Sequence, residues 1–249
     1  MTALHHRRFV GEPPIDALAT NTVHKDPREL PTYTVADAAR LLRIPNATLR
    51  SWVFGRDYET ADGARRFRRV IEPPRDPHRR LSFTNLIEAH VLRALRTKHG
   101  VAMQDVRSAL DFAQRKYGIQ RLLIHEKLKA APGRLFLDEY GKLIDLPKGG
   151  QLALRQVFAA HLERVAFDPD DHLPVRFFPW FPIESESSKE TITIDPRLSF
   201  GDPVTSHGAI RTAIIASRYE AGESIEDLAT DYGLKDAEIE DAILFERAA

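Results

Sequence analysis

Thr34-Val-Ala-Asp-Ala-Ala-Arg-Leu-Leu-Arg-Ile-Pro-Asn-Ala-Thr-Leu-Arg-Ser-Trp52 reads as two short helices joined by a tight turn. Thr34 can accept a backbone N–H at the start of the first helix. Asp37, three residues on, can bond back and complement the positive helix end. Val35, Ala38, Ala39 and Leu42 recur at helical spacing and predict one apolar face. Pro45 pushes Ile44 out of helical geometry and ends the helix. Asn46 is the expected cap of a second helix over Ala47–Val53, which buries Leu49 and turns Arg50 and Ser51 to solvent. Ala38 and Ala39 are small enough for two helices to approach closely. A helix-turn-helix needs these features; an ordinary helical hairpin inside another core shares them.

The flanking sequence bears on that choice. Phe54-Gly55-Arg56 forms a turn, and Asp62-Gly63 is a dipeptide favoured in tight hairpins. Ala64–Ile71 is the expected returning strand, ended by Pro73-Pro74. A basic hairpin after a helix-turn-helix is a wing, whose arginines can straddle phosphates; by itself it would be a solvated basic loop. Between Arg40 and Arg80 there are eleven arginines against five acidic residues, a net of plus six. From Glu184 to the end there are fifteen acidic residues against six basic ones, a net of minus nine. This polarity predicts a polyanion at one end and a basic partner at the other.

Arg80-Leu81-Ser82 leads into a third helix, with Ser82 or Thr84 as its cap and Phe83, Ile87, Val91 and Leu95 on one face. The segment from Thr32 to about Lys98 resembles the MerR-type winged helix. The resemblance rests on Pro45, Thr48-Leu49-Arg50-Ser51-Trp52, the wing arginines and Arg80-Leu81-Ser82. It implies a second helix in the major groove and a wing on the DNA backbone. Thr48, Arg50, Ser51, Arg56, Arg65, Arg66, Arg68, Arg69 and Arg80 would then contact double-stranded DNA, while Trp52 packs. The wing is longer than is usual there. Val101–Tyr117 is a further amphipathic helix, with Val106, Leu110, Ala113 and Tyr117 on one stripe and Gly118 as its stop. MerR-type regulators dimerise through a long coiled coil at this place. This stripe lasts only about two heptads, so core packing is expected, alongside a homodimer.

The 249 residues carry 43% hydrophobic and 29% charged residues and no cysteine. That excludes disulfides, thiolate catalysis and cysteine-ligated zinc, and fits a cytoplasmic protein. No apolar run reaches the roughly 18 residues of a membrane helix, and no signal peptide stands out. Gly-rich phosphate loops, His-Glu-x-x-His and Gly-x-Ser-x-Gly are all missing, so neither an enzyme nor a cofactor is expected. Residues 1–31, with Pro13-Pro14, Pro27 and Pro31, read as a mobile arm, although Arg7 and Arg8 could touch nucleic acid. In residues 119–183 strands are expected at Gln120–Ile124, within Arg134–Leu146 and at Val175–Phe178, with a helix over Leu152–Phe167. Asp168, Asp170, Asp171 and His172 fit a solvated turn better than a metal cluster. Phe177–Ile183, aromatic and proline-broken, either packs on this unit or meets a partner. Residues 184–190 form a polar linker.

The tail has a short strand at Ile192-Thr193-Ile194, a helix over Thr212–Ala221, a Ser224/Asp227 capping box for Ile225–Tyr232, and a last helix capped by Asp236. It resembles domain-of-unknown-function family 433, small bacterial proteins often encoded beside nuclease toxins of PIN-like fold. The resemblance rests on Ile194-Asp195-Pro196, Gly201-Asp202-Pro203-Val204, Ile210, Ala221–Ala229 and Tyr232-Gly233-Leu234. His207-Gly208-Ala209-Ile210 stands where that family usually shows Gly-Thr-Arg-Ile, and Arg211 where a proline is common. The resemblance implies partner contacts at Phe200, Asp202, Ile210, Arg211, Glu226, Asp227 and Tyr232. Together the two ends resemble a VapB-type antitoxin. That implies a protein that neutralises a PIN-like ribonuclease and represses its own operon. The alternative is a one-component regulator whose middle unit binds a ligand. The expected fold is α+β, mainly α. It places a winged helix-turn-helix at 32–118, a small α+β unit at 119–183, and a small helical domain with a short strand at 191–249.

Overall fold

The computed structural model describes residues 25–61, 63–99, 103–118, 121–124, 163–179 and 190–248. Thr34 begins α1 (Val35–Leu42) as its spacing with Asp37 predicts: its hydroxyl accepts the Asp37 N–H, and the Asp37 carboxylate accepts the Thr34 N–H. Arg43, in left-handed geometry at φ 51°, ends the helix. Arg93 reaches across to donate to the Leu42 carbonyl at 2.8 Å, covering an otherwise open helix end.

α2 spans Asn46–Phe54, and its cap is not Asn46. Pro45 holds that position, its carbonyl accepting the N–H groups of Thr48 and Leu49 at 2.9 and 3.1 Å. The extended Pro45 backbone already aims that carbonyl along the helix, so Asn46 joins the first turn. Leu49, Trp52 and Val53 are buried, as are Ala38 and Ala39.

β1 (Arg56–Thr60) and β2 (Gly63–Phe67) form an antiparallel hairpin. The returning strand is shorter than the expected Ala64–Ile71. The N–H groups of Val70 and Ile71 both donate to the Trp52 carbonyl, at 2.7 and 3.1 Å, which pulls the chain back to the end of α2. At the hairpin base Gly55 has φ 73°, and a β-carbon there would collide with the Phe67 carbonyl.

α3 (Phe83–His99) is the central helix. Ser82 is its cap, exchanging bonds with Asn85; Thr84 instead donates to the Arg28 carbonyl and to Glu29. Phe83, Ile87, Val91 and Leu95 are buried, and so are Asn85, Glu88 and His90. α4 (Met103–Tyr117) buries Val106 and stops at Gly118, φ 65°.

The middle of the chain departs most from expectation. Leu122–Ile124 is a 3-10 turn, not part of a strand. Arg121 is left-handed and accepts the Ile124 N–H, which lets Leu123 and Ile124 bury while Arg121 pairs with Glu88. Val165–Phe167, expected as a helix end, is β3, paired with β4 (Pro174–Phe177). Between them the Asp168 carboxylate accepts the N–H groups of Asp170 and Asp171, forming the expected turn. Residues 25–31 of the arm also pack: Pro27–Glu29 is a 3-10 turn whose Arg28 pairs with Asp26 and Asp171. The arm's first 24 residues, the Arg134–Leu146 hairpin, most of the Leu152–Phe167 helix and all but the last linker residue lie outside the described residues.

In the tail, β5 (Ile192–Thr193) pairs with β6 (Val204–Thr205), and Ile194 bridges to Phe177. α5 (Thr212–Glu220), α6 (Ile225–Tyr232) and α7 (Asp236–Ala248) follow. Ser224 caps α6 by accepting the Asp227 N–H, and left-handed Gly233 ends it. α7 is not capped by Asp236, which lies in its first turn; the Glu238 carboxylate instead accepts the Lys235 N–H. One core runs from Leu49 and Trp52 through α3, Phe177 and Ile194 to Ile215, Ile239 and Phe245. The fold is α+β and about half helical, with three two-stranded sheets among the described residues. Among those residues no helix is long and apolar enough to cross a membrane.

Candidate nucleic-acid interface and partner surface

α2 shows Arg50 to solvent at its middle, with Thr48 and Ser51 half-buried beside it. The Ser51 hydroxyl donates to the Thr48 carbonyl at 2.8 Å, turned back on its own helix. Arg50 is the long cation left on this face. Its guanidinium lies 5.9 Å from the Phe54 ring centre, and that of Arg79 lies 4.2 Å from the same ring. Arg79 was not among the sequence candidates. Its place depends on the chain's return from hairpin to α2, and no local pattern announces it. Its neighbour Arg80, which was a candidate, is held by Asp76 through two side-chain bonds of 3.1 Å. The Asp76 side chain is only 4% exposed, and the Arg80 guanidinium holds its carboxyl down to about 2.

The hairpin register sorts its residues by face. Arg56 faces Phe67 and Tyr58 faces Arg65 across the strands, while Asp57 faces Arg66 and Glu59 faces Ala64. Cross-strand partners share a face and neighbours alternate. One face therefore carries Arg56, Tyr58 and Arg65; the other carries both acidic residues with Arg66, which pairs with Asp57 at 3.4 Å. The face with Tyr58 is the cationic one, and Tyr58 itself is an exposed aromatic that sequence reasoning missed. Arg68 and Arg69 lie past the strand, at the hairpin base, where Arg69 pairs with Glu72 at 2.6 Å. The candidate arginines thus divide into Arg50 on the helix, Arg56 and Arg65 on one hairpin face, Arg66 on the other, and Arg68, Arg69 and Arg80 past the strand.

On the C-terminal unit Phe200 is 90% exposed. Ser199, Phe200 and Gly201 are all left-handed, at φ 44°, 57° and 82°. A bulky residue held there is strained, and such strain collects at functional sites. Asp202 pairs with Arg211 at 3.5 Å, so these two and Phe200 share one edge. Ile210 is half-buried, and its backbone exchanges bonds with Thr205. Asp227 is committed to the α6 cap, and Glu226 beside it is exposed. Tyr232 lies 5.1 Å beneath Arg218, whose guanidinium pairs with Glu223 and Asp231. The seven candidates thus form a loop-edge group and an α6 group, and among the described residues no bond joins the two. Of Asp168, Asp170, Asp171 and His172, Asp168 closes the turn and Asp171 pairs with Arg28.

Residues 31–110 match a family described as "Putative DNA-binding HTH domain". Residues 192–245 match one described as "Protein of unknown function (DUF433)". The chain is 26% identical to "Putative antitoxin VapB45" of Mycobacterium tuberculosis, over 86% of this chain and 93% of that protein. It is 24% identical to "Uncharacterized protein Rv2308" of the same organism, over 85% of this chain and 88% of that protein. The X-ray crystal structure of Rv2018 from M. tuberculosis superposes with a TM-score of 0.64 at 25% identity, over 86% of this chain and 98% of that one. The chain therefore resembles a VapB-type antitoxin, with a DNA-binding helix-turn-helix domain in front and the family-433 domain behind.

Proposed function

We propose that this chain, which resembles VapB-type antitoxins, is the antitoxin of a type II pair. It binds its own operator through α2 and the hairpin, and occupies a PIN-like ribonuclease through its C-terminal unit. It does so as a cytoplasmic homodimer, without chemistry of its own. The observation that carries the reading is the placing of Arg50 on α2 beside a hairpin whose cationic face bears Arg56 and Arg65. An exposed helix face that reads bases beside a basic ribbon that holds phosphates is the division of labour a winged helix uses on DNA. The likeness to the curated antitoxin, over nearly the whole of both chains, supports the toxin half.

Phosphate neutralisation supplies affinity without sequence, and Arg50 supplies discrimination, as a bidentate guanidinium does on a guanine edge. A homodimer would place two α2 helices one helical turn of DNA apart. The C-terminal net charge of minus nine suits a basic nuclease. Co-expression with the product of the adjacent gene tests this reading. The antitoxin assignment requires that the neighbour alone arrest growth, that the pair restore it, and that the two co-purify. A harmless neighbour that does not co-purify would remove the toxin half and leave a DNA-binding regulator.

A further inference from the structure

A cavity of about 690 Å³ lies between the hairpin base, the residues after it, α4 and the Leu122–Ile124 turn. Val70, Pro73, Leu110 and Leu123 give it apolar wall; Arg68, Arg69, Arg107 and Arg121 bring four guanidiniums to it. Two of these are spoken for. Arg69 pairs with Glu72, and Arg121 pairs with Glu29 and Glu88. Arg68 and Arg107 are not paired with any carboxylate among the described residues.

Arg107 is the unusual one. Its guanidinium stacks 4.1 Å from the Phe67 ring centre and donates through Nη2 to the Arg68 carbonyl. Its Nε is buried and has no acceptor among the described residues. Burial, and then the neighbouring Arg68, push its pKa down, against the opposing pull of Tyr58 and Asp111. A buried charged donor left without an acceptor is costly. Asp111, one turn along α4, is exposed, lines the cavity with Glu29, Glu72 and Glu88, and makes no hydrogen bond to Arg107.

We propose that this cavity binds a small organic phosphate, its phosphoryl group between the Arg68 and Arg107 guanidiniums and its apolar part against Val70, Leu110 and Leu123. Two guanidiniums in no ion pair among the described residues offer several donors to a tetrahedral oxyanion. The apolar wall behind them offers room that a bare ion would not fill. A DNA backbone phosphate carries the same chemistry and is the other source to be told apart. Because Arg107 stacks on Phe67 of β2, occupancy would also fix the base of the wing.

Isothermal titration of the full chain with phenyl phosphate and with inorganic phosphate tests the site without needing DNA. Phenyl phosphate is expected to bind at least about fivefold more tightly than inorganic phosphate, since only it reaches the apolar wall. Arg107→Gln and Arg68→Gln are each expected to weaken it about tenfold, while Arg247→Gln on α7 leaves it unchanged. Arg68 is exposed, so its variant guards against a folding defect in the other. Displacement of phenyl phosphate by duplex DNA would support the site as one shared by both phosphates. No binding of phenyl phosphate, or binding that both arginine variants retain, would overturn the proposal. If phenyl phosphate fails to bind but Arg107→Gln weakens duplex binding, the pair serves a DNA phosphate and the small-ligand site is overturned.

Discussion

The Tyr33 hydroxyl donates a 2.9 Å hydrogen bond to the Gly201 carbonyl, across 168 residues and inside the core. Tyr33 immediately precedes the α1 cap and bridges Leu81 before α3; Gly201 closes the strained loop that displays Phe200. One bond thus ties the start of the helix-turn-helix to the exposed edge of the C-terminal unit. Arg40 of α1 and Glu246 of α7 make a second tie at 3.2 Å, and Glu246 also accepts from Thr212 at the start of α5.

Removing that hydroxyl should leave a buried carbonyl unsatisfied. Tyr33→Phe is expected to cost about 1–3 kcal/mol in urea unfolding of the full chain. Gly201→Ala should cost more, because its β-carbon would meet the Tyr33 hydroxyl at φ 82°. Unchanged midpoints for both variants would show that the tie contributes nothing.

Phe200 should behave in the opposite way. It is almost fully exposed and backbone-strained, so Phe200→Gly should not lower the unfolding midpoint. In a pull-down with the adjacent gene's product the same variant should lose most of the capture, as a truncated aromatic anchor does. A destabilised variant that still captures its partner would assign Phe200 a structural role.

Arg79 and Arg65 should act on DNA as phosphate contacts. Alanine at either is expected to weaken binding to any duplex and to flatten the log-log salt dependence by about 0.9 per lost contact. Arg80→Ala should change affinity less than Arg79→Ala, because Asp76 already engages Arg80. The reverse order in a salt series of gel shifts would contradict this assignment.

Asp76 gives a pH prediction. Arg80 holds its carboxyl down to about 2 from an ordinary 3.8. A depressed folded value means the carboxylate's contribution is complete above the ordinary value and disappears as pH falls through the folded one. Wild-type thermal stability should therefore drop between about pH 4 and pH 2 by more than that of Asp76→Asn. Equal losses in that window would mean the Asp76–Arg80 bonds carry no stability.

Local chemistry was legible in the sequence. The Thr34/Asp37 box, the Ser224 cap of α6 and the stop at Gly233 depend on residues within a few positions of one another, whereas Gly63, expected in the turn, already pairs with Thr60 as the first residue of β2. Asn46 misled because a proline carbonyl serves a helix start as well as a capping side chain does. Val165–Phe167 misled because three apolar residues fit a helix end and an edge strand equally, and the Asp168 turn decided between them. Glu88 and His90 are buried on a helix face that spacing would assign to solvent. Arg79 against Phe54, and Arg107 against Phe67, arise from chain returns that no local spacing encodes.

The most direct test of DNA reading by the winged helix is a gel shift of the full chain on the duplex upstream of its own coding sequence. Wild type should bind that duplex more tightly than a shuffled one at 150 mM salt, a margin of about 4 kcal/mol or more being typical of specific sites. Arg50→Ala should narrow the gap by about 1–3 kcal/mol while keeping most of the shuffled-duplex affinity. Equal affinity of the wild type for the two duplexes, or an Arg50→Ala variant that discriminates as well as wild type, would contradict the account.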